Sequence, residues 1–343
     1  MKSNSKFIIV LLISFLASCV SQLPLSDNDS LVREAIESSA ALEKADLPLS
    51  KIPSETLYDL LVGDVALSRS QFDTALIKYA RQARVTEDKE VIQLALRIAE
   101  HLKDQTIRLE MSLLWLDMAP DDPQARRAAL DTLMDSDNAL EALSHASWLY
   151  QHRDDLDALI FVSTAPLESP QSFALIMDRL TTLSLSEDKT ATIKFIQALF
   201  YQKHSQTIKA EIKVREFLVH KRQDQRGLLL LAQLLHQQEK KNEAIEVLEE
   251  ALKDDPSAHK LRLQYARFLA VESVEEAIVQ FNLLQASDPQ DQEVNFLLGL
   301  LRLSQNKLDL AIPLFQQAST TPNLRANAQY HLGTIAERQK RIV

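Results

Sequence analysis

The sequence predicts an all-α chain, a right-handed α-solenoid of stacked helix pairs. Three observations carry that prediction. Only four of the 343 residues are glycine, where an average protein holds roughly 7%. Sheet-rich domains need glycine in turns and bulges, and nucleotide-binding folds need it where phosphates approach the backbone. Next, Leu, Ala, Gln, Glu and Lys dominate, and all five are strong helix formers. Finally, polar breaks recur along the chain every 33–34 residues, room for two helices of ~13 residues by the usual rise and loop lengths.

The elements are taken in chain order. Lys2 and Lys6 form a basic start, and Phe7 to Ala17 is an eleven-residue apolar run. A bilayer-spanning helix needs about 20 residues, so this run suits a signal-peptide core instead. It ends Leu16-Ala17-Ser18-Cys19, which resembles the bacterial lipobox, with cleavage before a cysteine that then carries acyl chains. Cys19 is the only cysteine, so no internal disulfide is available, and Cys19 is the expected lipidation site. By the same resemblance Val20, in place of an Asp retention signal, implies an outer-membrane anchor with the body facing the periplasm. Removing residues 1–18 takes away two lysines and no acids, so the net charge moves from −10 to −12. Residues 19–28 read as a lipidated tether. Residues 29–52 read as an N-terminal helix (29–45, begun by Asp29 or Ser30) and a linker.

Residues 53–322 read as about eight repeats. Pro120, Pro256, Pro289 and Pro322 mark breaks separated by 136, 33 and 33 residues, the first gap being four times 34. Within the units a small residue precedes an alanine by twelve positions and a large residue by sixteen: Gly63, Ala75 and Tyr79; Ala232, Ala244 and Leu248; Gly299, Ala311 and Phe315. In the seventh unit Ala266 precedes Ala277 by eleven, a one-residue deletion at Glu272-Ser273. Helices that cross closely need a small residue at the contact. The signal is strong at 54–86 and 222–322 and weak at 121–221, where Pro166 is expected to break a helix and Ser169-Pro170 to start one. Pro313 is expected in or just after the first turn of a helix that begins near Leu308. Residues 323–343 read as a terminal helix, or as the first half of a ninth repeat, with Gly333 at the small-contact position.

The period and spacing resemble the tetratricopeptide repeat. A narrower resemblance covers about 54–130. Leu57 to Val62, Phe72 to Leu76, Gln82-Ala83, Thr86 to Asp88, Ala95 to Glu100 and Trp115 to Asp121 resemble motifs of the LbcA-like outer-membrane lipoproteins of proteobacteria. That resemblance implies an adaptor for a periplasmic carboxyl-terminal processing protease, acting on cell-wall cross-link hydrolases. A broader expectation, from the repeats alone, is a scaffold for envelope, pilus or secretion machinery.

Little in the chain points to catalysis. None of the eight histidines lies in H-E-x-x-H, and no P-loop, dinucleotide fingerprint or G-x-S-x-G occurs. No cofactor or metal is expected. Asp121-Asp122 and Asp254-Asp255 read as turn and cap residues, and Trp115 and Trp148 as inter-repeat core. With 38 basic and 48 acidic residues and no long basic run, nucleic acid is a poor partner. The expected partner is a protein, held along the row of first helices of the pairs. Counting from the small contact residue, groove-facing positions are Arg226, Leu229, Gln233 and His236 in the sixth unit. They are Lys260, Leu263 and Arg267 in the seventh, and Glu293, Phe296, Leu300 and Leu303 in the eighth.

Overall fold

The structure, a computed structural model, describes residues 52–342 apart from 168 and 184–186. The signal segment, Cys19, the tether and the expected N-terminal helix lie outside the described residues. Every regular element described is an α-helix, seventeen in all. The α-solenoid of tetratricopeptide-type helix pairs is therefore the fold observed. The chain divides into two compact units, residues 1–136 and 137–343.

The first unit holds α1 (Ser54–Ser68), α2 (Phe72–Thr86), α3 (Lys89–Leu102), α4 (Gln105–Met118) and α5 (Pro123–Asp135). Each packs on the next around one core that includes Ala75, Tyr79, Ile92, Ala95, Met111 and Trp115. Within it Asp59, only 1% exposed, receives a hydrogen bond from Lys78 Nζ at 2.7 Å and another from Gln82 Nε2 at 2.8 Å. Lys78 holds the Asp59 carboxyl below its usual range, against the opposing effect of burial.

The second unit holds α6 (Ala139–Arg153), α7 (Leu156–Ser163), α8 (Pro170–Thr182), α9 (Glu187–Lys203), α10 (Thr207–His220), α11 (Gln225–Gln237), α12 (Lys241–Asp254), α13 (His259–Glu272), α14 (Val274–Ser287), α15 (Gln292–Ser304), α16 (Leu308–Ala318) and α17 (Pro322–Ile342). From α9 onward each helix packs on the next. Around α7 the rhythm differs, for α7 and α8 each pack on both α6 and α9. Here α7 is only eight residues long, and Pro166 follows it, while Ser169 caps α8 with Pro170 in its first turn.

Local chemistry starts and stops these helices. Asp88, Asp104, Asp122, Asp155, Asp224 and Asp291 each accept a backbone N–H in the first turn that follows, worth about 1 kcal/mol apiece. The turns between helices repeatedly use a left-handed residue: Ser70, Lys103, Asp137, Ser205, Glu239 and Asn306 have φ of 56–62°. These positions are 33, 34, 68, 34 and 67 residues apart, one or two repeats each, so the period is written in the backbone as well as in the prolines. At the shortened seventh turn Ser273 has φ −147° instead.

The close contacts are where the spacing put them. Ala244 and Ala277 are fully buried. Gly63 lies under the Tyr79 ring and Gly299 under the Phe315 ring. Gly333 differs, since a methyl group there would meet nothing within 4 Å. Pro313 lies where expected, just after the first turn: its helix begins at Leu308 and Pro313 is the sixth residue. That is past the donors a helix leaves free at its start, so the Asp309 carbonyl loses its N–H partner. Trp115 is buried as expected, whereas Trp148 is half-buried and stacks on His152 with centroids 4.4 Å apart.

Candidate functional site: the row of first helices in the second unit

Asp224 sets the start of α11 and one charged group with it. Its Oδ1 accepts the Arg226 and Gly227 N–H groups at 2.9 and 3.4 Å, and its Oδ2 accepts Arg226 Nη2 at 2.7 Å. Burial works to raise the Asp224 carboxyl, but Arg226 and the two N–H groups outweigh it, and the net shift is downward. The same pairing raises Arg226. The guanidinium also lies 5.7 Å from the centroid of the Phe195 ring. Arg226 is exposed, and so is Gln233 seven residues on, two turns along the same face.

Side chains tie neighbouring first helices together. His236 of α11 stacks on Phe268 of α13, with centroids 4.4 Å apart and planes 10° off parallel. Arg267 of α13 pairs with Glu293 of α15. Phe296 of α15 meets His331 of α17 at 5.9 Å and Phe315 at 5.7 Å, edge to face. The eleven residues singled out by spacing are thus not equivalent. Arg226, Gln233, Lys260 and Glu293 are exposed, and Arg267 is partly so. Leu229 and His236 are half-buried. Leu263 packs against the core shared by α13, α14 and α15. Phe296, Leu300 and Leu303 pack against the cluster formed by α16 and α17.

Sequence spacing missed a cleft of about 360 Å³ where α11, α12 and α13 meet, lined by Arg222, Gln225, Leu228, Val247, Glu250 and Leu261. Its lining mixes loop and helix residues, and no single period brings those together. Asp122 and Asp255 act on nearby backbone N–H groups, as cap and turn residues do. Among the described residues no group of three or more His, Cys, Asp or Glu is placed to hold a metal. Among them too, no helix is long and apolar enough to cross a membrane. The site offers a line of exposed charge and amide with apolar patches between, and such a surface binds by contact.

Comparison with known proteins agrees with that chemistry. Tetratricopeptide repeat models match residues 226–268, 267–323 and 296–343. Over these residues the chain is similar to tetratricopeptide repeats, and the class that such repeats define is the protein-interaction scaffold.

Among curated proteins the chain is similar to the TPR repeat-containing protein PA4667 of Pseudomonas aeruginosa, with 29% identity over 232 residues. The match takes in 68% of this chain and 38% of that one, so the chain spans well under half the length of that relative. Among solved structures it is similar to a tetratricopeptide repeat protein of Parabacteroides merdae (11% identity, TM-score 0.44, 83% of this chain and 100% of that one). It is also similar to MamA of Desulfovibrio magneticus (18% identity, TM-score 0.41, 46% and 88%).

Proposed function

We propose that this chain is a lipid-anchored scaffold on the periplasmic face of the outer membrane, serving as adaptor for a carboxyl-terminal processing protease and its cell-wall hydrolase substrates. The observation that carries the reading is the run of motifs between Leu57 and Asp121. Many of those residues do architectural work: Ala75, Gln82, Ala83, Ala95, Ala99 and Trp115 are buried, and Asp88 caps α3. The motifs therefore speak for a shared scaffold, and the binding surface is proposed on the exposed residues of α11, α13 and α15. Cys19 would carry the acyl chains, each buried CH₂ contributing about 0.8 kcal/mol to anchoring. The adaptor performs no chemistry of its own. Holding protease and substrate on one array raises their mutual concentration toward the ~mM range.

The test mixes the purified mature protein with the cognate protease and a hydrolase substrate. Binding with faster substrate loss supports the adaptor. Absence of binding, beside binding by a longer relative, would leave the broader envelope scaffold.

A further inference from the structure

We propose that residues 29–45 of this chain dock as a helix on the outer face of α1 and complete the first unit at that end. The inference stands apart from the adaptor reading. It begins from a mismatch of burial at equivalent positions. Gly63 of α1 and Gly299 of α15 each lie under an aromatic ring sixteen residues on, which aligns the two helices. Ala232 and Ala266 take the same place in α11 and α13, with buried Leu248 and Phe281 as their large partners.

Five residues before that small position the later helices carry Gly227, Leu261 and Val294, all buried. Two residues after it, Leu234 and Phe268 are buried and Leu301 is half-buried. The preceding second helix covers Gly227 and Val294, and Phe268 stacks on His236 of α11. A methyl group on Gly227 would lie 2.7 Å from the Phe217 ring of α10, and Val294 packs in one cluster with Phe281 and Leu284 of α14. On α1 the matching residues are Tyr58, 63% exposed, and Val65, 48% exposed, with Leu61 between them at 55%. Repeat arrays need a cap at such an end, because each unit buries its apolar face only against a neighbour.

The chain just before α1 has the pattern a capping helix needs. At 100° per residue, Leu31, Val32, Ala35, Ile36 and Leu42 form one stripe, while Arg33, Glu34, Glu37 and Lys44 fall opposite. Residues 46–53 would connect it to α1, eight residues, within the usual ~2–8 for antiparallel neighbours. An occupant that is tethered, of matching periodicity and at the place a preceding second helix takes elsewhere is favoured over a free partner by effective concentration.

The experiment uses the full mature chain with Cys19→Ser, which leaves no thiol. Cysteine pairs are added as Ile36→Cys with Leu61→Cys, and as Glu34→Cys with Leu61→Cys for the opposite face, followed by mild oxidation and amide hydrogen exchange. The expected result is a disulfide within one chain for the first pair, formed at least ~tenfold faster than for the second, with amides 31–44 protected from exchange. Cross-linking only between chains would overturn the proposal in favour of a second copy as the cover. Unprotected amides in 31–44 together with equal rates for both pairs would overturn it outright. In a second variant, Val32→Glu with Ile36→Glu, exchange in α1 should quicken by ~tenfold or more, and unchanged exchange there would count against docking.

Discussion

Gly299 of α15 sits beneath the ring of Phe315 of α16, so close that a methyl group on it would lie 3.0 Å from Phe315 Cε1. This contact shows what the glycine is for. Glycine costs a helix about 1 kcal/mol against alanine, and here the smaller side chain lets two helices approach. Gly333, in the same pattern on α17, meets no such ring. Gly333→Ala should therefore stabilise the protein by up to ~1 kcal/mol in denaturant unfolding. Gly299→Ala should gain nothing or lose stability, since overpacking costs about 1–3 kcal/mol. Equal gains at both sites would refute this account.

Gly227 provides a harder version of the same test. A methyl group there would press on both Phe217 at 2.7 Å and Leu218 at 2.8 Å. Gly227→Ala should be the most destabilising of the three, and Ala244→Leu and Ala277→Leu, at fully buried sites, should cost about 1–3 kcal/mol each. Thermal melts that leave both alanine variants unchanged would show the helix contacts to be placed elsewhere.

Asp59 makes stability depend on acid. Its folded carboxyl is held below the ordinary value by Lys78, so its contribution is present above the unfolded pKa of about 3.9 and disappears as pH falls through the lower folded value. Asp59→Ala should cost about 1–3 kcal/mol at neutral pH, and its acid unfolding should be less steep below pH ~4. Parallel stability curves for wild type and variant across that range would exclude the carboxylate as the cause.

The left-handed turns predict a gain. Glu239 has φ 62° and Asn306 φ 58°, a region that penalises most side chains and that asparagine tolerates better than glutamate. Glu239→Gly should stabilise by ~0.5–1 kcal/mol and Asn306→Gly by less. The comparison of midpoint shifts in urea decides it, and a larger gain at Asn306 would contradict the backbone argument.

For binding, Lys260 is exposed on α13, whereas Arg226 and Arg267 already hold Asp224 and Glu293. Lys260→Glu should weaken the proposed partner by ~tenfold through a rim charge, mostly in the association rate, and leave the melting temperature within about a degree. An unchanged affinity would move the partner off this row.

The repeat period, the all-helical class and the small contact residues were legible in the sequence because each is a local or strictly periodic property. Helix propensity is local, an Asp at a break caps the next turn whatever lies beyond it, and a spacing of sixteen residues sets Gly299 against Phe315 through one hairpin. The exposed or covered state of the first-helix row was not legible. Phe296, Leu300 and Leu303 share their positions with Leu229, Gln233 and His236, and Leu300 packs against the cluster of α16 and α17 where Gln233 is exposed, because burial depends on which helix lies next and not on register alone. For the same reason nothing in the Leu57 to Val62 motif marks Tyr58 and Leu61 as exposed, which the structure shows them to be. In the fourth unit the short α7 and Pro166 gave no period to follow, and only packing decided that α7 and α8 each rest on α6 and α9. Periodicity determined the fold, while the faces available for binding were decided by tertiary neighbours, since solvent exposure is a property of the whole stack.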